Sequence, residues 1–247
     1  MTALWLMLFI PLTGVVLLAF IGHHRHAGWV NIILSALSLA TSLWLAAHVL
    51  ANGPLLSPSR MMYIDAFNVY LVTLTALVGL TTAIFSRPYM QHEVEARKIG
   101  KRRMRMYHSM YQAFMFAMQA ALTTNNIGIL WVAMEGATLT TVLLVSLYRT
   151  PEAVAAAGKY FILCGVGIAQ ALFGTVLLYF AAARVIPSAD DALLWNVLYS
   201  AATQLDPTVL TLAFVFLLVG YGTKVGLVPL HNWLPDAHSE GPTPMSA

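Results

Sequence analysis

Three ionisable side chains, Glu135, Lys159 and Lys224, sit inside stretches of sequence that otherwise carry apolar and small residues. Glu135 lies in NIGILWVAMEGATLTTVLLV, with Thr138 one turn further on the same face. Lys159 lies in EAVAAAGKYFILCGVGIAQALFG, three helical turns before Gln170, so that these two share a face. Lys224 stands among Gly220, Gly222 and Gly226 and ahead of Pro229, a setting in which a helix is not expected to stay regular. A carboxyl and two amines in such surroundings can take up, hold and release protons. Their proton affinities are set by loss of hydration against the pull of one another's charge. The alternative for Glu135 is a neutral carboxyl hydrogen-bonded inside a bundle. The alternative for the lysines is snorkelling, because Lys159 is about two turns from one end of its run and Lys224 is near the end of its own.

The elements that would hold these groups follow from composition. The 247 residues are 59% apolar and only 9% charged, against roughly 25% charged in an ordinary soluble domain. So few charges cannot solvate the surface of a chain this long. Runs of about 20 apolar residues read as membrane-spanning helices. Seven are expected, at about 3–21, 28–50, 64–85, 107–123, 126–148, 152–183 and 208–229. The fold expected is therefore an all-α polytopic membrane protein. The N-terminal run lacks a basic leader and a small-residue cleavage site, and reads as a retained first helix. An ionised side chain at the centre of such a helix costs about 2.5–3.5 kcal/mol on insertion scales, and is by default functional.

Charge distribution gives orientation. Seven of the thirteen basic residues (Arg87, Arg97, Lys98, Lys101, Arg102, Arg103, Arg105) fall in the connection Ser86 to Ser109, which the positive-inside rule assigns to the cytoplasm. Parity then puts Arg25 and Arg149 inside too, with Arg60 and Arg184 outside, and the N-terminus outside. The net charge of +3 is concentrated in that loop, so it does not point to nucleic acid. Asp65 opens the third span at the interface, and the amphipathic ALLWNVLYSAA within 184–207 reads as an interfacial segment. A single cysteine, Cys164, excludes an internal disulfide framework and any multi-cysteine cluster. No Gly-rich phosphate loop follows a strand pattern. His231, Asp236 and His238 match no strong metal spacing, and the histidines read as residues of a channel mouth. No metal or cofactor is expected.

The closing stretch GTKVGLVPLHNWLPDAHSEGPTPMSA resembles the antiporter-like membrane subunits of respiratory complex I, multi-subunit sodium/proton antiporters and membrane-bound nickel–iron hydrogenases. Its HNWLPDAHSEGPTP wording is most similar to the hydrogenase-4 component F type, also found with formate hydrogenlyase-like complexes. WVAMEGATLTTVLL and EAVAAAGKYFIL fall in the family's order. The resemblance implies the N-terminal half of a fourteen-helix fold with a broken seventh helix. Residues 1–106 would be lead-in helices, and 107–247 an incomplete first repeat. It further implies that Glu135, Lys159 and Lys224 form a proton-uptake half-channel; helix faces and loop position add Gln170, Thr138, His231 and His238 as accessory or mouth residues. Redox chemistry would belong to peripheral partner subunits, and the chain would carry none of its own. The bacterial or archaeal cytoplasmic membrane is the implied location, with protons or sodium ions as the cargo. A component of a sodium/proton antiporter and a non-pumping structural scaffold are the alternatives. The sequence stops before the family's second repeat, so as written it is expected to be a piece of a longer protein, a split subunit completed by another chain, or a remnant that does not pump alone.

Overall fold

A computed structural model describes residues 1–246. Ala247, the last residue of the closing motif, lies outside the described residues. Helices α1 (Thr2–Ile21), α2 (Ala27–Asn52), α3 (Ala66–Glu95), α4 (Lys101–Thr123), α5 (Ile127–Val145) and α6 (Pro151–Ala182) follow one another through short connections. After them come the short α7 (Trp195–Ala201), then α8 (Pro207–Val225), α9 (Leu234–Glu240) and α10 (Thr243–Ser246). A two-residue hairpin, β1 (Leu55–Leu56) with β2 (Tyr63–Ile64), closes the turn between α2 and α3. The polytopic helical fold read from the sequence is the fold observed.

Helix starts are written in local chemistry. Asp65, Asn126, Thr150 and Asp206 each accept backbone N–H bonds from the first turns of α3, α5, α6 and α8. Pro151 and Pro207 occupy the first helical position of α6 and α8, where no N–H is needed.

The seven expected spans correspond in order to α1 through α6 and α8. Among the described residues, six helices are long and apolar enough to cross a membrane. The remaining one is α4, whose first turn holds Lys101, Arg102 and Arg103 and whose interior carries His108, Gln112 and Gln119. It is tolerated because α1, α3 and α5 all pack against it. Polarity is inverted relative to a water-soluble protein: Phe85 is 74% exposed, whereas Gln112 and Gln119 are fully buried. Only a hydrocarbon solvent makes that arrangement favourable.

At the end opposite the basic loop, the segment 184–206 folds over the bundle. Arg60 donates to Asp191 at 2.7 Å, Asn125 donates to the Asn196 side chain at 2.8 Å, and Leu198, Ala201 and Leu205 pack against α6 and α8. Trp195 and Tyr199 stay exposed, as residues of an interfacial belt do.

The tightest helix pair is α6 with α8. A Cβ on Gly220 would fall 2.6 Å from the Ala171 nitrogen and 2.7 Å from the Gly167 oxygen, and one on Gly174 would fall 2.9 Å from the Ala213 oxygen. Small residues thus let two backbones approach as close as membrane helices do. Gly220→Ala is expected to destabilise the protein by roughly 1–3 kcal/mol through overpacking. Gly158→Ala, whose Cβ meets nothing within 4 Å, should be neutral or stabilising by up to about 1 kcal/mol. Thermal unfolding of the two variants in detergent checks this, and equal midpoints would contradict the close approach.

Candidate functional site

Two of the three intramembrane charges, Glu135 and Lys224, approach one another where α5, α6 and α8 pack together, and Lys159 lies apart from them. Two ties set the height of α5 against α6. The Trp131 indole N–H donates to the Ile168 carbonyl at 2.7 Å, and the hydroxyls of Thr141 and Tyr160 bond at 2.7 Å. Glu135 lies between these ties, level with the region of Cys164. On the other side of α6, Gly167 abuts Thr223 and Ala171 abuts Gly220, which brings Lys224 to the same height. Gly167 is halfway along the 32-residue α6. Glu135 and Lys224 are therefore at about the same height, near the middle of α6.

Lys224 is the last residue but one of α8, near the end of its span and beside the break that its glycines predict. The sequence stays apolar beyond it, through Leu227, Val228 and Leu230. The helix nevertheless ends at Val225, with Gly226 left-handed at φ 81°. The N–H groups of Gly226 and Leu227 turn back to the Gly222 carbonyl at 3.0 and 2.9 Å, a closure that glycine favours. The Trp233 indole N–H donates to the Thr223 carbonyl at 2.8 Å, satisfying another acceptor freed by the break. Trp233 also stacks on Tyr160, with centroids 4.8 Å apart. The broken helix is thus clamped to α6, and α6 through Tyr160 to α5.

Glu135 and Lys224 are within electrostatic reach of one another, and Cys164 is within reach of both. They form no ion pair: the carboxylate oxygen Oε2 of Glu135 and the Nζ of Lys224 are buried without a hydrogen-bond partner among the described residues. Lys159 behaves differently. It lies five residues along α6 from Cys164, about 7 Å nearer the basic end by helical rise. Its ammonium donates to Asp236 at 2.7 Å and to Asn232 at 3.3 Å. The pair is open to solvent, with side-chain exposures of 35% and 48%.

A cleft of about 330 Å³ runs beside the break, lined among others by Gly167, Gln170, Thr223, Pro229 and Asn232. Asn232 thereby joins the surroundings of Gln170 to those of Lys159. Thr138 is buried, and its hydroxyl donates back to the Met134 carbonyl of its own helix at 3.0 Å. His231 and His238 are exposed. Among the described residues no three of His, Cys, Asp or Glu gather as a metal set would. Sequence reasoning missed Asp236 and Asn232 as the partners of Lys159, and Trp233 as the clamp. Spacing gave no signal for this pairing, because Asn232 lies in the turn before α9 and Asp236 within it.

A helical bundle that is apolar outside, with a carboxyl, a lysine and a helix break inside, has the architecture of a polytopic membrane protein with a polar interior. Residues 124–247 match the family described as NADH:quinone oxidoreductase/Mrp antiporter, TM. The chain belongs to this family of antiporter-like membrane subunits. It is 48% identical over 237 residues to the hydrogenase-4 component F homolog of Methylacidiphilum infernorum, covering 96% of this chain and 48% of that one. It is 28% identical over 263 residues to NADH-quinone oxidoreductase subunit L of Mycobacterium tuberculosis, covering 98% of this chain and 39% of the relative. The fold matches a chain of the archaeal membrane-bound sulfane sulfur reductase with a TM-score of 0.85 at 21% identity, over all of this chain and 49% of the other. It also matches a chain of respiratory complex I from Thermus thermophilus, with a TM-score of 0.74 at 23% identity over 97% of this chain and 48% of the other. The chain spans about half the length of the curated relatives it matches, or less.

Trp233→Phe keeps the stacking on Tyr160 and removes the donor to Thr223. It is expected to cost about 0.5–1.5 kcal/mol, the worth of one hydrogen bond, because the Thr223 carbonyl still accepts from the Gly226 N–H at 3.2 Å. Denaturation in detergent measures the loss, and an unchanged stability would show that the break is closed by other contacts.

Proposed function

We propose that the chain forms a proton-uptake half-channel within a redox-driven membrane complex of the hydrogenase-4 or NADH:quinone oxidoreductase kind. The observation that carries this reading is the convergence of Glu135 on α5 and Lys224 at the broken end of α8, both inside the bundle and both with unmet polar atoms. Groups of that kind in a bilayer need water, and water beside two ionisable side chains is a path for protons. The proton arrives from the basic end, which the positive-inside rule assigns to the cytoplasm. It passes the open Lys159–Asp236 pair and Asn232, and is then shared between Lys224 and Glu135. The charge state of either group sets the proton affinity of the other. A change in partner subunits that moves either group would release the proton onward. The redox centres that drive such a change are assigned to peripheral partners, and the location to the cytoplasmic membrane of a prokaryote.

Coupled proton and sodium exchange is the second reading, favoured by the matched family's inclusion of Mrp antiporters. Sodium dependence of transport separates the two.

In the native membrane complex, Glu135→Ala or Lys224→Ala should lower redox-coupled proton uptake by on the order of tenfold or more, as expected for loss of a proton-transfer group. The complex should still assemble. Vesicle proton uptake with parallel quantification of the subunit checks this, and normal uptake in both variants would remove the relay.

A further inference from the structure

A second set of polar groups lies inside the bundle of α1 to α4, away from Glu135. On α4, His108, Gln112, Gln119 and Thr123 recur on one helical face and are buried. On α2, Asn31, Ser35, Ser38 and Ser42 do the same. The Gln112 amide donates to Asn31 Oδ1 at 2.8 Å and lies 3.4 Å from Ser35 Oγ. Helices α1 and α4 are antiparallel, since Gly22 abuts Arg105, Ser109 bonds Val15 and Gly14 abuts Gln112. Helix α2 therefore runs parallel to α4. Two turns further along both, Gln119 comes level with Ser38 and Ser42.

Several of these groups have nothing to bond. His108 Nδ1, Asn31 Nδ2, Ser38 Oγ and both polar atoms of Gln119 are buried without a hydrogen-bond partner among the described residues. Gln119 is 0% exposed. In a bilayer such atoms are costly, and a buried site lined by several polar groups is where ordered water belongs.

The column has one open end. His108 also lines a cleft of about 380 Å³ at the basic end, together with His23, His24, Arg87 and Lys101. At the other end the apolar residues Leu4, Leu8, Leu45, Val49, Val69 and Val72 pack together and close it. All of these residues precede the matched family region, which begins at residue 124. We propose that α1 to α4 enclose a second, water-filled inlet that runs from the basic-end cleft past His108 and Gln112 to Gln119 and stops at the apolar cluster. It carries water to depth without a through passage, and it is separate from the Glu135–Lys224 site.

The first test is a density map of the unmodified membrane complex, at a resolution that shows ordered water elsewhere in the bundle. Water within hydrogen-bonding distance of Gln119 and His108 Nδ1 is expected. An interior in which these atoms bond only to protein, or in which no water is seen, overturns the proposal. The second test is labelling by 2-aminoethyl methanethiosulfonate in sealed vesicles with the basic end outward, the native Cys164 serving as background. Ser35→Cys and Ser38→Cys should react on the order of tenfold faster than Leu45→Cys in the apolar cluster, because thiol reactivity follows access to water. Equal rates in folded protein overturn the open connection. Neither result depends on whether Glu135 moves protons.

Discussion

A helix that ends in a turn packed among membrane helices leaves carbonyls that hydrocarbon cannot bond, and the packing around the end of α8 answers to that constraint. Gly226 turns the chain at the end of α8, and Trp233 reaches back to the Thr223 carbonyl. The indole can reach because Trp233 rests on Tyr160 of α6. Helix α6 in turn lies against α8 through Gly167, Ala171 and Gly174. Lys224, two residues before the left-handed turn, is thereby held inside the bundle beside backbone that is irregular but protected. The turn that ends α8 also borders the cleft lined by Thr223, Pro229 and Asn232, so the position of Lys224 and its access to polar surroundings have one origin.

The two ionisable stations differ in a way that suits their depths. Lys159 is paired, half-open and near the basic end, where a solvated ion pair contributes little to stability and can exchange partners readily. Glu135 and Lys224 sit deeper, close enough to influence each other and too far apart for an ion pair. A sealed pair would trap its proton, because breaking a buried ion pair is expensive. Separation leaves each group able to change charge.

Much of this was legible in the sequence. The apolar runs gave the number and order of the helices, and the three charges inside them marked the residues that the bundle brings to α5, α6 and α8. The break beside Lys224 was legible in Gly220, Gly222, Gly226 and Pro229, but its exact place was not, because Leu227, Val228 and Leu230 keep the run apolar after the helix has ended. Hydropathy measures solvent preference and does not sense the left-handed turn at Gly226. The partner of Lys159 was hidden by distance along the chain, since Asp236 lies 77 residues away and becomes a neighbour only once α9 folds back against α6. The polar face of α4 was overlooked for a related reason. Isolated Gln and His residues in a moderately apolar run look like surface until three helices are seen to cover them.

A proton path through Glu135 requires that its carboxyl change protonation as the complex turns over. Redox-triggered infrared difference spectroscopy of the native membrane complex reads that change at the group itself. A carboxyl C=O band should appear or shift between redox states and be lost in Glu135→Gln. A difference spectrum unchanged by that substitution, in a complex that still assembles and turns over, would contradict the path.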